Sequence, residues 1–153
     1  MSYKVGNQAP VSLRLYRFKE LSKLIKPFFK LENIELNFAG YENTLSEFSS
    51  VDYGDLPQVF ELNKNLLLWI DYLEELRCVV RTCIMKLDNR EAYLDAFLVN
   101  NSTKQIKDMV SETLSNKKMC AYYEKELLIQ IKFLNLAYKH VAREYNEHIH
   151  NGL

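Results

Sequence analysis

From Gln58 to Asn151 the chain has no glycine and no proline; its four glycines and three prolines all fall at or before Pro57 or at Gly152. A stretch of that length without the two strongest helix breakers excludes a sheet built on tight hairpins and favours long uninterrupted helices. Net charge is absent as well, because lysines and arginines balance aspartates and glutamates at 20 each. The whole chain therefore has no bulk attraction for nucleic acid, an anionic membrane or a basic partner. No long apolar run occurs: the longest, Leu66 to Ile70, is far below the roughly 20 residues that cross a bilayer. Cysteine is sparse and odd in number, with Cys78, Cys83 and Cys120 only. Without an apolar leader after the first basic residue, this points to reduced thiols and a cytoplasmic setting.

What is present is periodicity. Leu62, Leu66, Trp69, Leu73, Leu76, Val80, Cys83 and Leu87 follow one another at alternating spacings of four and three. That is the seam of a helix packed on other helices, as in a coiled coil. A second seam runs through Leu127, Ile131, Leu134, Tyr138, Val141 and Tyr145. The expected fold is all-α: an elongated antiparallel bundle of two long heptad-patterned helices, an N-terminal amphipathic helix and an acidic connecting segment. One domain over residues 1–153 is expected, divided into a basic N-terminal helix (1–31), the acidic segment (32–57) and the long-helix body (58–151).

Within this frame the first helix starts after Pro10, with Ser12 as cap, and ends or kinks at Pro27. Ile34, Leu36 and Phe38 alternate with polar residues, which predicts a short extended piece ending at Ala39-Gly40; Tyr41 to Pro57 reads as loop or weak helix. The second helix spans about Gln58 to Leu87. The same rhythm continues through Arg90, Leu94 and Phe97, so the helix runs on, bends or restarts at Asp88, where a capping-box pattern from Asp88 to Glu91 favours a restart. Ser102 with Gln105 predicts the start of the next helix, with a bend near Ser115-Asn116. Leu67, Leu68, Ile70, Tyr72, Val79, Ile84 and Met85 put apolar surface on further faces of the second helix, more than one antiparallel neighbour covers. Either the N-terminal helix and residues 34–60 cover that surplus or another copy of the chain does, and self-association is the favoured expectation.

The neutral total hides an asymmetry. Residues 1–31 sum to +6, residues 32–61 to −7 and the remainder to +1. Adjacent blocks of opposite sign neutralise each other or meet partners of opposite sign. Arg14, Arg17, Lys19, Lys23 and Lys26, interleaved with Tyr16, Phe18, Phe28 and Phe29, carry the mixture that a single-strand binder uses for phosphates and bases. In the acidic segment Phe38, Tyr41, Leu45, Phe48, Val51, Tyr53 and Leu56 alternate with carboxylates. They serve either the chain's own core or a basic, apolar groove on a partner.

Catalytic signatures are few. His140, Glu144, Glu147 and His148 sit at helical spacings but on one polar helix end, and a structural metal site wants ligands fixed on more than one element. No metal or cofactor is expected. Arg143-Glu144-Tyr145-Asn146-Glu147-His148 resembles the short Arg-x(4–6)-His signature of the HEPN ribonucleases, a helical and often dimeric family. The resemblance covers six residues and implies His148 as acid or base and Arg143 as phosphate stabiliser. It stands third among the readings. The first is a non-catalytic assembly or adaptor protein that binds proteins and itself through Leu62, Leu66, Trp69, Leu73, Leu76, Val80, Leu127, Ile131, Leu134 and Tyr138. The second is an accessory protein that binds single-stranded nucleic acid through the basic N-terminal helix.

Overall fold

Residues 39–100 and 103–151 are described by the structure, a computed structural model. Among them the chain is all-α, with three helices and no strand: α1 (Ala39–Ser50), α2 (Leu56–Asn100) and α3 (Lys104–Asn151). The expected bundle is observed, and its rods are longer than the spacing predicted. At 1.5 Å per residue α2 and α3 extend about 68 and 72 Å.

The heptad pattern explains their pairing. Val59, Leu66, Leu73, Val80, Leu87 and Leu94 recur every seven residues along α2, and all are buried. Along α3 the matching row is Thr113, Cys120, Leu127, Leu134 and Val141, also buried and also seven apart. A strict seven-residue repeat on a 3.6-residue helix drifts by ~20° per heptad, so the two rods must coil gently to keep their seams together. They run antiparallel. Phe60 stacks on Tyr145 with ring centroids 5.2 Å apart near one end. Arg77 and Arg81 reach Glu124 at 3.8 and 3.5 Å further along. Lys117 bridges Asp88 at 2.5 Å and Glu91 at 2.6 Å toward the other end.

Both long helices begin with side-chain caps. Asp55 accepts the Gln58 amide on its carboxylate at 3.3 Å and the Val59 amide on its carbonyl, while the Gln58 side chain accepts the Asp52 amide at 3.1 Å. Donors at the start of α2 are thereby satisfied, with Pro57 in the first turn, where a missing N–H costs nothing. Thr103 caps α3 through the Ile106 amide at 3.3 Å. The cap thus falls one residue after the predicted Ser102, which lies outside the described residues.

α2 does not restart at Asp88; it continues to Asn100, because Asp88 and Glu91 turn their carboxylates to Lys117 across the hairpin instead of back to their own helix. α3 passes through Ser115-Asn116 without interruption. Of the two states expected for Tyr41 to Pro57, loop or weak helix, Tyr41 to Ser50 takes the helix, which Ala39-Gly40 opens. The extended piece at 34–38 and the helix of residues 12–31 lie outside the described residues.

α1 docks where α2 begins and α3 ends. Tyr41 and Phe48, two turns apart on one face, are each 1% exposed. Tyr41 packs on Trp69 at 5.1 Å, and Phe48 meets Phe133 edge-on at 5.9 Å. The approach is close: a Cβ at Gly40 would lie 3.3 Å from the Trp69 ring. The Tyr41 hydroxyl donates to the Gln130 side-chain carbonyl, a bond buried between α1 and α3. Gly54 closes the following turn by donating its amide to the Asp52 carboxylate at 2.9 Å.

Candidate functional site

The packing seam lies almost where the sequence put it. Leu62, Leu66, Leu73, Leu76, Val80, Leu127, Ile131 and Leu134 are buried, and Tyr138 packs partly buried against them. Trp69 is the exception. Ile70 takes the fully inward position and Trp69 turns toward α1, wedged between Tyr41 and Tyr72. These residues hold the hairpin together within the chain. Arg14, Arg17, Lys19, Lys23 and Lys26 lie outside the described residues.

The acidic segment's apolar side chains complete the chain's own core. Tyr41 and Phe48 are buried, and Leu45, Val51 and Tyr53 are packed against the same cluster. Only Leu56 among its described apolar residues belongs to the exposed set. Phe38 lies outside the described residues.

Arg143 and His148 are both exposed on α3. Five residues at 3.6 per turn put them about 140° apart around the helix, so the two side chains leave in different directions. His148 lies beside Gly54. Among the described residues no three histidine, cysteine, aspartate or glutamate side chains gather as metal ligands. His140 instead packs edge-on against Phe48 and Tyr53, at 6.2 and 6.3 Å. Burial pushes the thiol of Cys83 up to about 12, with Cys120 facing it and Lys86 opposing the shift; burial also raises Cys120. Raised thiols are poor nucleophiles at neutral pH, which suits packing and not reactivity.

What the hairpin does present is a set of large apolar side chains on its outside. Of the surplus residues, Ile70 is buried and Tyr72, Val79 and Ile84 pack against the core, while Leu67, Leu68 and Met85 are exposed. The densest group sits at the end where α2 passes to α3. There Tyr93 is 64% exposed, Phe97 44% and Val99 85%. The rings of Tyr93 and Phe97 lie 5.4 Å apart and, with Ala96 and Asn100, line a shallow apolar groove. The sequence carried this signal only weakly, since Tyr93 and Val99 stand outside the four-three rhythm of the seam and Phe97, which continues it, reads as a seam residue although it is 44% exposed. No helix among the described residues is long and apolar enough to cross a membrane.

No protein-family model, curated protein or solved structure matches this chain.

Proposed function

We propose that the protein acts without catalysis, as a helical assembly or adaptor factor that binds other proteins and associates with itself. The observation that supports this is the apolar tip formed by Tyr93, Phe97 and Val99. Aromatic side chains held rigidly on a helix are efficient contact residues, because they offer large area for little lost side-chain freedom. Two copies meeting through the same patch would close a symmetric pair, the commonest oligomer. Leu67, Leu68 and Met85, further along α2, extend the surface available to a second protein. The three unbridged thiols favour a reducing, cytoplasmic setting for this role.

Molar mass by light scattering tests the proposal. The expected result is a dimer or larger species at micromolar concentration that reverts to the monomer mass in a Tyr93→Glu, Phe97→Glu double variant. Both positions are exposed, so the variant keeps its helicity. A wild-type protein that stays monomeric throughout that range, or a variant that associates as before, overturns the self-association part of the reading.

A further inference from the structure

The heptad that builds the core of α3 has a counterpart on its back. Lys118, Lys125, Lys132 and Lys139 also recur every seven residues, and Arg143 follows one turn later. Each lysine stands two residues before a buried member of the inner row: Cys120, Leu127, Leu134 and Val141. Two residues are about 200° of helix, so the lysines stand opposite the seam. All five cations are exposed, and none makes an ion pair or hydrogen bond with a described residue. Because both rows share the same repeat, the outer one runs parallel to the coiled seam and does not wind off the face. It is a straight ridge about 37 Å long.

Carboxylates are kept off this ridge. Glu124 lies to one side and is engaged by Arg77 and Arg81; Glu126 lies to the other and is half-buried. Glu147, one turn beyond Arg143, marks its end. The spaces between lysines are filled by Tyr122, Ile129 and Leu136, each one turn after a lysine. Tyr122 is 38% exposed.

We propose that this outer ridge of α3 binds the backbone of single-stranded nucleic acid without regard to sequence. Five uncompensated charges in a row call for a linear polyanion. An acidic protein helix would need carboxylates matched to each heptad, whereas a phosphate backbone supplies charge at every step and needs no register. The ridge is convex and has no groove to read base edges, so contacts fall on phosphates. A flexible single strand can follow a straight ridge; the phosphate line of a duplex winds away from it. One lysine per ~10.5 Å of helix corresponds to about three nucleotide steps of 3.4 Å along a stacked strand. The inference stands apart from the self-association proposal, since the tip and the ridge share no residue.

The test is anisotropy of labelled thymidine and uridine oligonucleotides of about 25 residues, long enough to cover the ridge, titrated with the full chain at several salt concentrations. The expected slope of log K against log salt is about −3.5 for five phosphate contacts on a single strand. Lys125→Gln, Lys132→Gln and Lys139→Gln together are expected to make that slope shallower by about 2 and to weaken binding at least tenfold at low salt. Helicity by circular dichroism checks that the triple variant remains folded. Four results would each overturn the inference: no binding at about 50 mM salt; a triple variant that binds as well as the parent; tighter binding to a duplex of equal length; and capture of polyglutamate with no capture of oligonucleotide, which would mark an acidic protein as the occupant. Loss of binding only on Lys19→Glu, Lys23→Glu and Lys26→Glu, with the ridge variant unaffected, would move the site to the N-terminal block.

Discussion

The two halves of the hairpin are held together in different ways. At the end covered by α1, α3 buries two faces. Leu127, Ile131, Leu134 and Val141 meet α2, while Gln130, Phe133 and Ala137 lie on the neighbouring face that α1 closes. Toward the tip fewer α3 side chains are buried, Thr113, Cys120 and Tyr123, and the ion pairs of Lys117 and Glu124 flank them. A third layer permits aromatic residues and a buried polar bond. Where two helices pack alone among the described residues, narrow seams are supplemented by charges at their margins. The covered end sets stability, and the tip is left to present surface.

Mutations can break that contrast directly. Phe133→Ala, in the three-layer end, is expected to cost about 3–5 kcal/mol of unfolding free energy, and Leu127→Ala about the same upper range. Leu94→Ala, near the tip, should fall at about 2 kcal/mol because its surroundings can collapse or hydrate. Urea denaturation measures all three, and equal losses at both ends would remove the distinction.

The next effect concerns the buried bond. Gln130→Leu removes the side-chain carbonyl that accepts from the Tyr41 hydroxyl and should cost about 1–3 kcal/mol, reduced by the loss of the buried Gln130 Nε2, which has no hydrogen-bond partner among the described residues. Adding Tyr41→Phe to that variant should restore most of the loss, since two apolar groups leave nothing unsatisfied. A double variant as unstable as the sum of the singles would show that shape, not hydrogen bonding, locks α1 in place.

At high pH both parts of the hairpin should also weaken, through Tyr41 at the covered end and through Cys83 beside Cys120 further toward the tip. Burial raises Tyr41 above its usual range, and Cys83 is pushed up to about 12. A raised pKa means that the folded form holds its proton longer than the unfolded chain. Stability is therefore complete below the ordinary thiol and phenol values, near 8.5 and 10, and declines as pH rises beyond them. Denaturation midpoints should be flat from pH 6 to about 8.5 and then fall. Rapid labelling by a thiol reagent of exposed Cys78 alone in the native protein, with Cys83 and Cys120 reacting only on unfolding, reports the same burial.

The smallest effect is expected from Lys117→Ala. Its ammonium is shared by Asp88 and Glu91, whose hydrogen bonds hold it up at about 12, yet the site is near the surface and salt screens it. The loss should be below that of every core change and should vanish in molar salt. A loss matching that of Leu94→Ala would give the charged margin a larger part than the narrow seam.

The rods were legible because periodicity and the absence of breakers agree over residues 58–151. Their continuity was partly hidden: Asp88 to Glu91 has the residues of a cap, and only the position of Lys117 on the other strand of the hairpin reveals why they are not used as one. Trp69 fitted the spacing as well as Ile70 did, but its size and the docking of α1 turned it aside, which depends on a contact distant in sequence. α1 itself was obscured by Ser46, Ser49 and Ser50 and by Gly40, residues with modest helix preference whose hydroxyls, in Ser49 and Ser50, return to backbone carbonyls four residues earlier. The lysine ridge was overlooked for another reason. Its charges are seven apart, so no local window appears basic, and only the inner row of Leu127, Leu134 and Val141 reveals their common direction.

Because α1 dresses one extremity and leaves the other bare, the rod has a head and a foot. Two such rods joined foot to foot would set their heads about 130 Å apart, a span fixed by backbone rise and not by any linker. Shortening both limbs by a whole heptad would draw the heads together by about 21 Å without altering either contact. A protein built this way carries a ruler whose graduations are its leucines.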